Sequence, residues 1–123
     1  MPITLEHVGI TTTKEKFSAT VAFYGQIFGL KPVREGKDLV FLSDGQGGRI
    51  EIMAYGDPAL PSPNHLAFGV PPDQFGQTVA ALEAAGAHVE PPGTTAAGDR
   101  LCYFNDPAGN RAQIVGRKNP LPL

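Results

Sequence analysis

Two histidines, one glutamate and one glutamine stand where a metal ion could use them. His7 lies within Leu5-Glu6-His7-Val8-Gly9-Ile10, and His65 opens His65-Leu66-Ala67-Phe68-Gly69-Val70. Glu51 is flanked by Ile50 and Ile52, and Gln113 by Ala112 and Ile114. Two imidazoles, a carboxylate and an amide oxygen make a mixed nitrogen and oxygen donor set for a divalent transition metal. Zinc, nickel, iron, cobalt and manganese all accept such a set, so the donors do not choose among them. Taken singly, a histidine or glutamate in a strand is usually a satisfied or solvated residue. The metal reading rests on the four occupying matching places in a repeat.

That repeat organises the chain. His7-Val8-Gly9-Ile10 matches His65-Leu66-Ala67-Phe68, an offset of 58 (7 to 65). The same offset carries Phe17, Val21 and Tyr24 onto Phe75, Val79 and Leu82, spaced i, i+4, i+7 as the buried stripe of an amphipathic helix. Thr12 followed by Glu15 reads as a capping box for the first helix, and Asp73 as the N-cap of the second. Further on the offset is 62 (39 to 101): Leu39-Val40-Phe41-Leu42-Ser43-Asp44 lies over Leu101-Cys102-Tyr103-Phe104-Asn105-Asp106. Gly47-Gly48-Arg49-Ile50-Glu51-Ile52 likewise lies over Gly109-Asn110-Arg111-Ala112-Gln113-Ile114. The extra residues fall in the small, polar, loop-like stretch from Gly93 to Asp99. Each half reads strand, helix, then three strands. The expectation is an α+β fold: one domain over residues 1–123, built from two βαβββ modules at about 1–56 and 63–117.

The two-residue period of a strand sends each of the four polar side chains to the face opposite its apolar neighbours. Val8, Ile10, Ile50, Ile52, Leu66, Phe68 and Ile114 then pack beneath the helices. His7, Glu51, His65 and Gln113 collect on the other face of a curved sheet, with the helices outside.

Composition closes off other classes. The 123 residues suit a single core, and 41% hydrophobic with 18% charged residues is ordinary for a globular protein. Ten Lys and Arg against 12 Asp and Glu, with a pI near 5.8, leave no basic excess for a nucleic-acid binder. No apolar run reaches the ~18 residues of a membrane span. The start, from Met1 to Glu6, lacks a basic stretch followed by an apolar block, so no secretory signal is expected. One cysteine, Cys102, excludes an intrachain disulfide and zinc-finger geometry, and a reducing cytoplasm is the expected location. No GxGxxG or Walker-type phosphate loop is present. Cys102 reads as a small buried hydrophobe, His88 as a surface residue of an edge strand, and Arg49 and Arg111 as solvated strand-end charges.

With these motifs in hand, the sequence resembles the vicinal oxygen chelate superfamily, which includes glyoxalase I, fosfomycin-resistance proteins, extradiol dioxygenases and methylmalonyl-CoA epimerase. The resemblance runs from Leu5 to Val115. It is carried by His7-Val8-Gly9-Ile10, by Phe23-Tyr24 through Phe28-Gly29-Leu30, by Asn64-His65-Leu66-Ala67-Phe68, and by Asp106-Pro107-Ala108-Gly109-Asn110-Arg111. It implies a glyoxalase-like mixed sheet of eight strands, with metal ligands on the first, fourth, fifth and eighth. Those are His7, Glu51, His65 and Gln113 here. It also implies a homodimer, which would cover the wet face of the curved sheet. Most catalytic members carry glutamate on the eighth strand, where this chain has Gln113. An amide oxygen can coordinate, but it cannot abstract a proton.

The functional expectation is a metal-dependent enzyme acting on a small oxygenated substrate. The metal serves as a Lewis acid, and Glu51 is both ligand and catalytic base. Isomerase, lyase and dioxygenase chemistry all stay open. The alternative is a non-catalytic protein on the same fold that binds and sequesters a small molecule or antibiotic, as bleomycin resistance proteins do.

Overall fold

A computed structural model describes residues 3–57 and 64–123. The leader reading at Met1 and Pro2 and the module boundaries at residues 1 and 63 lie outside the described residues. The chain divides into two compact units. Among the described residues, the first holds 7–57, 64 and 121–123, and the second holds 3–6 and 65–120.

The first unit contains most of β1 (Thr4–Thr11), then α1 (Lys14–Phe28), β2 (Lys31–Gly36), β3 (Leu39–Ser43) and β4 (Arg49–Met53). Its strands run in the order β2-β3-β4-β1. β1 and β4 pair parallel, with Val8 opposite Ile50, Gly9 opposite Glu51 and Ile10 opposite Ile52. The pairs β2–β3 and β3–β4 are antiparallel. Val40, Leu42 and Ile52 form the buried centre, and Phe17, Val21 and Tyr24 of α1 pack on it, as their spacing predicts. α1 stops at Gly29, whose left-handed backbone (φ 71°) suits glycine best. The Gly29 N–H then bonds the Gly25 carbonyl, and the Leu30 N–H reaches back to Tyr24, in the manner of a Schellman cap.

The second unit contains β5 (His65–Gly69), a 3₁₀ turn (Pro72–Gln74), α2 (Phe75–Ala84), β6 (His88–Val89), β7 (Gly93–Thr94), β8 (Arg100–Asn105) and β9 (Arg111–Gly116). Its order is β5-β9-β8-β6, with β7 also on β8. β5 and β9 are parallel, with Ala67 opposite Gln113, repeating the Gly9–Glu51 pairing of the first unit. Phe75, Cys102, Phe104, Ala112 and Ile114 are buried together, with Val79 and Leu82 against them. The closing hairpins also repeat. Asp44 Oδ1 accepts the N–H groups of Gln46 and Gly48, and Asp106 Oδ1 those of Ala108 and Asn110. The Asn110 side-chain amide, and after it the backbone N–H groups that bond Asp106, hold the Asp106 carboxyl below its usual range.

The α+β class and the two βαβββ modules are as the sequence predicts. Four details differ. Nine strands occur among the described residues instead of eight, because Gly93–Thr94 pairs with Leu101 and Arg100 inside the stretch read as loop. A turn closed by Thr95, whose hydroxyl accepts the Asp99 N–H, folds that stretch back on β8. The capping box does not form: Thr13 is the N-cap without a side-chain bond, and the Thr12 hydroxyl donates to the Met53 carbonyl. Asp73 lies in the 3₁₀ turn that begins at Pro72, one residue short of the helix N-cap at Gln74. Leu66 is exposed, although its neighbours Ala67 and His65 are buried. No helix among the described residues is long and apolar enough to cross a membrane.

Candidate metal centre

In the first unit, the parallel pairing of β1 and β4 brings His7 and Glu51 together. His7 Nε2 lies 3.4 Å from Glu51 Oε1, and the two side chains are 2% and 12% exposed. That separation exceeds the ~2.7–2.9 Å of a closed charge-assisted hydrogen bond. Phe41, opposite Glu51 in the β3–β4 register, stands edge-on to the imidazole at 5.1 Å between ring centres and an interplanar angle of 80°.

The second unit holds the equivalent arrangement. His65, at the start of β5, is buried, and Tyr103 stands edge-on to it at 5.5 Å and 85°. Tyr103 is in turn opposite Gln113 in the β8–β9 register, and Gln113 is buried. Histidine, aromatic ring and acid or amide thus recur in the same order: His7, Phe41, Glu51 and then His65, Tyr103, Gln113. His7 and Glu51 in the first unit and His65 in the second each carry a buried donor that suits a metal ion. Two imidazoles and one carboxylate fit a borderline-soft divalent cation better than calcium or magnesium, which prefer all-oxygen ligands.

Charge near the first half-site reaches Tyr55, whose hydroxyl donates to the Lys37 carbonyl. Burial first, then the Glu51 and Asp38 carboxylates, push its pKa up, so the phenol stays protonated. Cys102 is fully buried, and burial, with Glu90 and Glu83 adding to it, raises its thiol pKa. It is a core residue and a poor nucleophile. His88 is exposed on the edge strand β6, as its surroundings in the sequence predict.

Two arginines depart from the sequence reading of solvated charges. Arg49 donates through Nε and Nη2 to the carbonyl oxygens of Pro122 and Leu121. Arg111 pairs with Glu90 at 2.8 Å and lies over the Tyr103 ring, its Cζ 3.9 Å from the ring centre. Sequence reading also missed a buried cluster in the second unit. Arg117 grips Glu6 with Nε and Nη2, at 2.8 and 2.9 Å, and reaches Asp99 with Nη1 at 3.2 Å. Its signal was available: Glu6 immediately precedes a residue assigned to the polar face, so strict alternation would put a carboxylate among apolar side chains. A carboxylate there demands a buried cation.

The sequence matches the Glyoxalase/Bleomycin resistance protein/Dioxygenase superfamily over residues 4–114. Among solved structures, the fold is similar to a hypothetical protein from Bacillus halodurans C-125, with 18% identity, 97% of each chain covered and a TM-score of 0.74. It is similar to methylmalonyl-CoA epimerase from Mycobacterium tuberculosis at 18% identity and a TM-score of 0.72, covering 94% of this chain and 88% of that one. It is also similar to a methylmalonyl-CoA epimerase variant from Streptomyces coelicolor, in complex with 2-nitronate-propionyl-CoA, at 19% identity, 98% coverage of each chain and a TM-score of 0.70. No curated protein matches the chain. With most of its length inside the family match, and its two modules built as that fold requires, this chain belongs to the Glyoxalase/Bleomycin resistance protein/Dioxygenase superfamily.

Proposed function

We propose that this protein is a metal-dependent enzyme of isomerase type that moves a proton next to a carbonyl in a small oxygenated substrate. The observation that carries the reading is the buried donor group of His7, Glu51 and His65, placed on strands whose other residues are mostly apolar. In this reading the three are ligands of one divalent cation, and Gln113 supplies a fourth, neutral oxygen. A bound divalent ion supplies Lewis-acid stabilisation of negative charge developing on a substrate oxygen.

The chain's own groups do the rest. Glu51 is the single carboxylate of the set, so it is the group able to accept a proton from a substrate carbon and return it. Gln113 holds an oxygen in place and takes no part in proton transfer. Phe41 and Tyr103 wall the two imidazoles and keep water from their faces. Solved methylmalonyl-CoA epimerases of this fold hold methylmalonyl-CoA or 2-nitronate-propionyl-CoA, which makes a thioester of a branched or substituted acid the first substrate class to try. A homodimer in the cytoplasm completes the reading.

The test has two parts. Elemental analysis of protein purified without added metal should find a divalent transition metal near one per chain. Incubation with methylmalonyl-CoA in D₂O, followed by mass spectrometry, should show deuterium gained next to the thioester carbonyl. The neutral amide of Gln113 favours one rival, a protein that binds a small molecule and does not turn it over. Protein free of metal that binds an antibiotic tightly and exchanges no deuterium would establish the rival instead.

A further inference from the structure

We propose that Glu90, Arg111 and Tyr103 form a positioning stack that fixes the imidazole of His65. The proposal rests on the reading of His65 as a metal ligand only for its consequence on metal binding. Its geometry lies wholly within the second unit.

The stack is built from the sheet edge inward. The backbone N–H of Glu90 donates to the Tyr103 carbonyl at 2.9 Å, so the residue after β6 is tied directly to β8. The Glu90 carboxylate holds Arg111 Nη1 at 2.8 Å. Held there, the guanidinium lies over Tyr103 with its Cζ 3.9 Å from the ring centre, well inside the ~6 Å range of a cation–π contact. The other reach of the Tyr103 ring is His65, met edge-on at 5.5 Å. A tyrosine ring on a strand can swing about its first two torsions. With one face covered by an anchored cation it loses that freedom, and the imidazole packed against it inherits a fixed wall.

The internal repeat offers a comparison. Phe41 stands at the place of Tyr103 beside His7, and Arg49 at the place of Arg111, but Arg49 bonds the carbonyl oxygens of Leu121 and Pro122. The same scaffold position therefore anchors the chain terminus in one unit and braces a ligand's neighbour in the other. Arg111 and Glu90 are each about a third exposed, so their replacement leaves the core of the unit in place. They are positioning residues and touch no donor atom.

The chain has three histidines, His7, His65 and His88, so its histidine Cε1–Hε1 correlation spectrum holds three signals, which single histidine replacements assign. In Arg111→Gln and in Glu90→Gln, the His65 signal should shift or broaden while that of His7 holds its position. Arg111→Lys keeps a cation able to sit over the ring and should restore most of the wild-type signal. Zinc affinity by calorimetry should fall about tenfold in Arg111→Gln, the low end for loss of a group that orients a ligand. Should wild-type protein take up no zinc while the His65 signal still responds selectively, the metal reading fails and the positioning of His65 stands. An unmoved His65 signal in both variants, or equal movement of His65 and His7 as general loosening would give, overturns the proposal.

Discussion

The repeat makes Glu51 and Gln113 equivalent, yet only one of them is an acid, and in the proposed reading that single difference divides their roles. Both lie between apolar neighbours on paired strands, opposite an aromatic residue that stands edge-on to a histidine. Removing the charge at Glu51 and adding one at Gln113 therefore test ligation and proton transfer separately. In Glu51→Gln the amide oxygen can still coordinate, so turnover should fall by a hundredfold or more, on the order of the loss of a general base, while metal content falls less. Gln113→Glu should keep metal and bind it more tightly, because a second carboxylate is a stronger ligand than an amide. His7→Ala and His65→Ala should lose metal and activity together. Equal metal content in the wild type and in both alanine variants would remove these histidines from the ligand set. The placement of these side chains in paired strands was legible in the sequence, because the matching motifs of the two halves fix their register positions.

At the scale of elements, legibility tracked periodicity. The helix stripes Phe17, Val21, Tyr24 and Phe75, Val79, Leu82 pack on their sheets as their spacing requires, since burial of one face is what holds such helices in place. Helix starts were read less well. Thr12, Thr13 and Asp73 are all chemically able to cap, and the choice depends on what each side chain finds nearby; Thr12 finds Met53, far away in sequence. The same holds for Glu6. Its partner Arg117 lies at the other end of the chain, so no local pattern announces the pair. The cluster makes a sharp prediction about the second unit. Arg117→Ala leaves Glu6 and Asp99 buried with their cation gone, which should cost about 3–5 kcal/mol at neutral pH. Urea denaturation of both proteins at pH 7 measures this, and equal stability of the two would count against it.

For the whole molecule, the informative surface is the one the core does not account for. Phe23, Ile27 and Phe28 of α1 are each more than half exposed, and Phe23, Tyr24 and Phe28 touch ring to ring. Ile3 and Leu5 near the N-terminus are also more than half exposed, and Leu66 of β5 is exposed as well. Single exposed apolar residues are normal, but a run of large ones on one helix is uncommon in a monomer. A chain this short also gains little from its own core, so association is the cheapest way to bury such side chains. The homodimer proposed from sequence therefore has its natural candidates in these residues. Sedimentation at micromolar concentration should give a mass near twice 13.0 kDa. Phe23→Glu and Leu5→Glu each insert a charge among them, and the one that lies at the dimer contact should shift the protein to monomer with its metal content unchanged. A 13.0 kDa species for the wild type under these conditions would make the protein a monomer and leave the aromatic face of α1 in contact with water.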